Sequence, residues 1–168
     1  MVRQGMTASL FYLIFLVSCS TYILWKGGAP ERIGIAIAIA ASVLTFIATT
    51  SDVAQRWHQV ETGVFLVDLA TFAAFLILAL RADRFWPLWI TGMHLIGIAT
   101  HTAKLADPKV VPWVYANTQA LWAYPILLLI VIGAVRHQRR LRRFGADNSW
   151  IGSSAPSGRR RLQFGPGG

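Results

Sequence analysis

Asp68, His94 and His101 carry the chemistry that is hardest to explain away in this chain of 168 residues. They are the ionisable side chains that lie well inside long apolar runs: Asp68 in one, the two histidines in the next. A carboxylate beside an imidazole can hold the ring in one tautomer, relay a proton or ligate a metal ion. Placed in lipid, such groups are expensive, about 2.5–3.5 kcal/mol for a charge at the centre of a span on insertion scales, and mark candidate functional sites by default.

Their spacing sorts the options. His94 and His101 are seven positions apart on one stripe with Thr91 and Gly97, which is two helical turns, or about 10 Å along the axis. That is too far for one metal ion on an undistorted helix, and the i, i+4 spacing of a helical metal site is absent. Two histidines and a carboxylate are nonetheless a ligand set for non-haem iron, so Asp68, His94 and His101 stand as metal candidates. One histidine could serve as an axial haem ligand, but bis-histidine ligation would draw its second imidazole from another copy of the chain. A quinone or similar amphiphile could use an Asp/His pair and Tyr115 for protons, with Trp113 and Trp122 as walls. Against these readings stands the plainer one, in which Asp, Asn, Gln and His bond across helices and fix their register for about 0.6 kcal/mol per bond. No cofactor is assigned. The motifs HExxH, GxSxG and CxxC and a Gly-rich phosphate loop are absent from the sequence, so an enzymatic role is not favoured.

The elements that must position these residues are long and apolar. The chain is 55% hydrophobic and 14% charged, against about 25% charged in ordinary soluble domains. Apolar runs near residues 8–25, 33–50, 62–80, 85–103 and 112–135 alternate with short polar stretches, the pattern of membrane-spanning helices. The period-two start of the second run, Gly34 to Ala40, reads like a strand, but its length and the unpaired backbone a lone strand would leave in lipid favour a helix. Ser42, Thr45 and Thr49 recur on one face of that helix and are expected to meet a neighbour. Pro125 falls inside the fifth run and is expected to kink it. The sequence therefore predicts an all-α membrane protein: a five-helix transmembrane bundle over residues 1–135 and a basic, largely disordered tail over 136–168.

Charge sets the expected orientation. With the tail inside, twelve Lys and Arg lie on the inner side and four on the outer, so the positive-inside rule puts the N-terminus out and the C-terminus in the cytoplasm of a bacterium with an inner membrane. Leu16-Val17-Ser18-Cys19 resembles a lipobox, but cleavage there would export the tail arginines and invert the charge bias. Cys19, the single cysteine, is then a small apolar helix residue, and an intrachain disulfide is excluded.

The hairpin of runs three and four, closed by Arg81-Ala82-Asp83-Arg84, puts Asp68 level with about Ile98, one turn from either histidine. The same construction brings Tyr115, Asn117 and Gln119 to the same outer half, forming a candidate pocket with Asp68, His94 and His101. At the other end Arg136, Arg139, Arg140, Arg142 and Arg143 are expected to contact anionic lipid headgroups, with nucleic acid disfavoured for a tail beside a span. The function expected from all this is that of a small multi-pass accessory, assembly or scaffold protein, with a membrane-protein partner or a homo-oligomer in view. The alternatives are a redox or ligand-binding protein holding haem, metal or quinone in the outer-half pocket, and passage of ions or small solutes through an oligomer.

Overall fold

The structure, a computed structural model, describes residues 2–49, 62–106 and 121–152, with side chains from residue 9 onward. Among these residues the chain forms five helices and no sheet: α1 (Val2–Lys26), α2 (Ala29–Ala48), α3 (Thr62–Arg81), α4 (Trp86–Ala106) and α5 (Ala123–Phe144). Three of them, α1, α2 and α3, are long and apolar enough to cross a membrane. The histidines, Pro87 and tryptophans of α4 dilute its apolar character, and the last third of α5 is arginine-rich.

Helix boundaries depart from the sequence expectation where local chemistry outweighs hydropathy. α2 begins at Ala29, inside the expected loop, because Pro30 is tolerated in a first turn and Glu31 is favourable at the positive end of the helix dipole. α5 begins at Ala123, directly after a turn at Trp122 that follows helical Leu121, so the helix is interrupted where Pro125 is expected to disturb the fifth run; Pro125 itself sits in the first turn of α5, where a missing N–H breaks no helical bond. Past the end of the apolar run at residue 135 the basic stretch 136–143 continues the helix, a brief continuation its sequence allows, as far as Phe144. It ends where Gly145 adopts φ 70°, with its N–H bonded to the Leu141 carbonyl at 2.9 Å, a left-handed stop that suits a residue without a Cβ.

Beyond Gly145 the chain folds back as a strap. Asp83 N–H donates to the Ser149 carbonyl (3.2 Å) and Ile151 N–H to the Arg81 carbonyl (3.0 Å), around an isolated antiparallel bridge between Ala82 and Trp150. The tail residues 145–152 are thereby part of the fold, where the sequence suggested disorder; the reason is that the α3–α4 turn offers backbone groups for them to pair with.

The helices form a ring in chain order, α1 beside α2, α2 beside α3, α3 beside α4, α4 beside α5 and α5 back against α1, with α2 and α5 also meeting across the middle. The α3–α4 hairpin is the most extensive of these interfaces. Ser42 meets the neighbouring helix as expected, its Oγ lying 2.7 Å from the Tyr12 hydroxyl of α1. Ile23, Ile35, Phe75, Ile90, Leu127 and Ile130 form the apolar centre, and Cys19 packs at its edge within α1.

The outer surface is greasy and the interior partly charged. Phe46 is 85% exposed, and Phe11, Leu80 and Ile47 are close to that, while Glu31, Arg84, His101, Lys104 and His137 are buried. That is the reverse of a water-soluble distribution.

Trp86 is the wedge between α2, α4 and α5. Its indole is 3% exposed and lies in a slot made by Gly34 of α2 and Gly133 of α5. A Cβ on Gly34 would come within 2.5 Å of Trp86 Cη2, and one on Gly133 within 2.6 Å of Cδ1. Overfilling a packed interior costs about 1–3 kcal/mol. Gly34→Ala and Gly133→Ala should each lower the apparent Tm in detergent, whereas Gly92→Ala, at a site with open space around it, should not. Equal melting of all three variants would mean that the indole is not gripped.

Candidate functional site

Apart from the Tyr12–Ser42 bond, the side-chain bonds between described elements gather at two ends of the bundle. At the end away from the α3–α4 turn, His101 Nε2 lies 2.9 Å from Asp68 Oδ2 and the two share a hydrogen bond. The antiparallel hairpin left Asp68 one turn from either histidine; packing selects His101. The imidazole is fully buried, with Phe65 tilted against it at 5.1 Å between centroids, while the Asp68 side chain is 19% exposed at the rim. Buried aromatic walls and a carboxylate partner fix the ring's orientation. His94 does not join this pair. Its ring stacks on Phe75 at 5.7 Å and 17°, one helical face doing packing work two turns from His101. Among the described residues no three His, Cys, Asp or Glu side chains converge as a metal site. Tyr115, Asn117 and Gln119 lie outside the described residues.

The second cluster is larger and was not anticipated. Glu31, in the first turn of α2, is completely buried. Its Oε1 accepts from Arg84 Nε at 3.2 Å and from the Trp86 indole N–H at 3.1 Å. Arg84 spends its remaining donors on the strap: Nη1 to the carbonyls of Asp83 (2.8 Å) and Asn148 (2.7 Å), and Nη2 to Asp147 Oδ2 at 2.6 Å. Asp147 Oδ2 also takes His137 Nδ1 at 2.6 Å, and Oδ1 lies 3.5 Å from Arg140 Nη1. Gln138 Nε2 donates to the carbonyl of Lys26 at 2.6 Å, capping the C-terminal end of α1. One planar guanidinium therefore ties α2, the α3–α4 turn and the strap together, a job suited to its rigid fork of donors.

Burying a carboxylate and a guanidinium carries a large desolvation cost, and the pair holds only because each finds the other plus further hydrogen bonds. The chemistry this cluster offers is that of a clasp: every charge faces an opposite charge, and a dipole is aimed at Glu31 from Trp86.

Sequence reasoning missed these residues for an identifiable reason. Glu31, Arg84, His137 and Asp147 all sit in or beside polar stretches, where a solvated charge is the ordinary expectation. Arg84 is 53 positions from Glu31 and 63 from Asp147, so no local periodicity links them. The usable signal was the four-residue turn itself, too short to let Arg84 swing clear of the helices on either side. Lys104, placed by hydropathy in an outer loop, likewise lies inside α4 and is 2% exposed. Of the five arginines expected at headgroups, Arg140 reaches Asp147 and Arg136 lies over the Phe85 ring at 5.6 Å.

Comparison with protein-family models, curated proteins and solved structures finds no match for this chain.

Removing one partner of a buried ion pair costs about 3–5 kcal/mol, because the other charge is stranded. Glu31→Ala and Arg84→Ala should each lower stability severely in a detergent melt. The double variant should lose less than the sum of the two, with a coupling of about 0.5–3 kcal/mol. Strict additivity would show that the two side chains do not interact.

Proposed function

We propose that the chain is a five-span protein of a bacterial inner membrane, N-terminus outside and C-terminus in the cytoplasm, acting as an accessory or scaffold component for a membrane-protein partner or for copies of itself. The fifth span in this reading is the apolar run near 112–135, of which residues 112–120 lie outside the described residues and the remainder includes the apolar first half of α5. The observation that carries the scaffold reading is how the buried polar groups are spent. Glu31, Arg84, Asp147 and His137 bond one another, and Asp68 bonds His101. Such pairs brace helices and fix register, although Glu31 Oε2 is buried without a hydrogen-bond partner among the described residues. An exterior studded with apolar side chains supports immersion in lipid, and the arginines of α5 support an inner-leaflet location for that end.

A second reading is favoured by one feature. The Asp68 carboxylate is 19% exposed while its imidazole partner is fully buried, the asymmetry of a pair that presents one oxygen to a ligand or proton and keeps its base oriented behind it.

A complementation assay in a strain lacking the gene separates the two. Under the scaffold reading, Asp68→Asn and His101→Ala lower the melting temperature modestly, at about 0.6 kcal/mol for an interhelical bond, and still complement. Loss of complementation at wild-type abundance and stability would move the role to the pair itself, as would a Soret band or stoichiometric metal in the purified protein that His101→Ala abolishes. A C-terminal reporter active on the outer side would overturn the orientation.

A further inference from the structure

The last two turns of α5 carry more arginine than the clasp consumes. Arg136, Arg139, Arg140 and Arg143 fall at i, i+3, i+4 and i+7 and so share one side of the helix. That side borders an open groove of about 760 Å³ between α5 and the α3–α4 turn. Arg142, on the same turn, lies outside the cleft lining. The cleft changes character along its length. Along α5 its lining passes from Leu129 and Ile132 to the four arginines, and across from them Phe85 lies under Arg136 at 5.6 Å. Arg84 and Arg140 are committed to Asp147. Among the described residues, no carboxylate lies within ion-pair distance of Arg136, Arg139 or Arg143. The acidic group on the lining, Asp83, leaves the rim cationic.

We propose that this cleft holds one anionic glycerophospholipid of the surrounding leaflet, its phosphodiester against Arg139 and Arg143 and the upper part of an acyl chain along Phe85, Leu129 and Ile132. Guanidinium forks match phosphate oxygens two at a time, and basic pockets between helices at the cytoplasmic face are suited to anionic headgroups. A free phosphate would use only the rim. The apolar half of the cleft continues onto lipid-facing positions, Ile132 at 48% and Phe85 at 53% exposed, which is what an amphiphile needs and a small anion does not. The site rests on the membrane reading above. It also explains why the strap is anchored: Asp147 neutralises Arg84 and Arg140 at the inner wall and leaves the outer arginines for the ligand.

The test uses the full-length protein in mixed micelles of nonionic detergent with phosphatidylglycerol, phosphatidylcholine or inorganic phosphate. Salt is held at about 0.15 M, where screening reaches about 8 Å and suppresses diffuse attraction. Retained lipid is counted by native mass spectrometry, and affinity is read from thermal shifts. One phosphatidylglycerol should be retained in preference to phosphatidylcholine. Arg139→Ala and Arg143→Ala should each weaken it about fivefold. Ile132→Trp, which fills the apolar half from an exposed position, should weaken it too. Arg142→Ala removes the same charge and should change affinity by less than about twofold. Equal losses in Arg142→Ala and Arg139→Ala would reduce the effect to a diffuse basic surface and overturn the site. So would full competition by inorganic phosphate, or an unaffected Ile132→Trp. Carbonate extraction of cell membranes separates the two levels of failure. A chain released by carbonate refutes the membrane reading, whereas one that stays integral but retains no phosphatidylglycerol refutes the lipid site alone.

Discussion

A carboxylate with no access to water dictates much of this architecture. Glu31 sits on α2 in full burial, and its charge is tolerable only while Arg84 and the Trp86 indole point at it. That requirement fixes the start of α4, since Trp86 is its first residue, Arg84 lies two positions before it, and both must turn inward. With Trp86 held, its ring can sit only where α2 and α5 present no side chain, and Gly34 and Gly133 meet that condition. The electrostatic need of one residue and the steric need of another are thus solved at the same point. Three helices cross there.

The strap extends this logic to the end of α5. Arg84 has more donors than Glu31 can accept, and the surplus is taken by Asp147 and by the carbonyl of Asn148. Asp147 in turn gathers His137 and Arg140 from α5. The chain after Gly145 is held by charge, by backbone pairing and by Trp150, which packs against the apolar core, whereas Ile151 is 66% exposed. At the opposite end, Asp68 and His101 perform a smaller version of the same task between α3 and α4. On the proposed membrane reading, apolar packing between the ends is generic, because helices in lipid gain little by burying greasy surface against one another. The polar ties are therefore what give this ring of helices a particular register.

Hydropathy made the helical class legible, together with the Asp68 neighbourhood, because long apolar runs and the rarity of ionisable groups within them are properties of composition along the chain. The α3–α4 hairpin followed from a connection too short for any other geometry, and the hairpin brought Asp68 to within a turn of its partner. Choosing His101 over His94 required side-chain packing: Phe75 takes the ring of one histidine and leaves the other facing Asp68.

By itself, then, the sequence determined that these segments are long apolar helices and that Asp68 of α3 lies within about a turn of the level of both His94 and His101 of α4. Only the tertiary structure decided that Glu31, Arg84 and Asp147 are interior, that Asp68 takes His101, and that residues 145–152 return to the bundle. The physical reason is common to all three. A charged residue in a polar stretch looks solvated when read locally. Its true environment is set by groups 53 or 63 positions away, and the free energy of a buried charge depends on those partners and not on its neighbours in the chain.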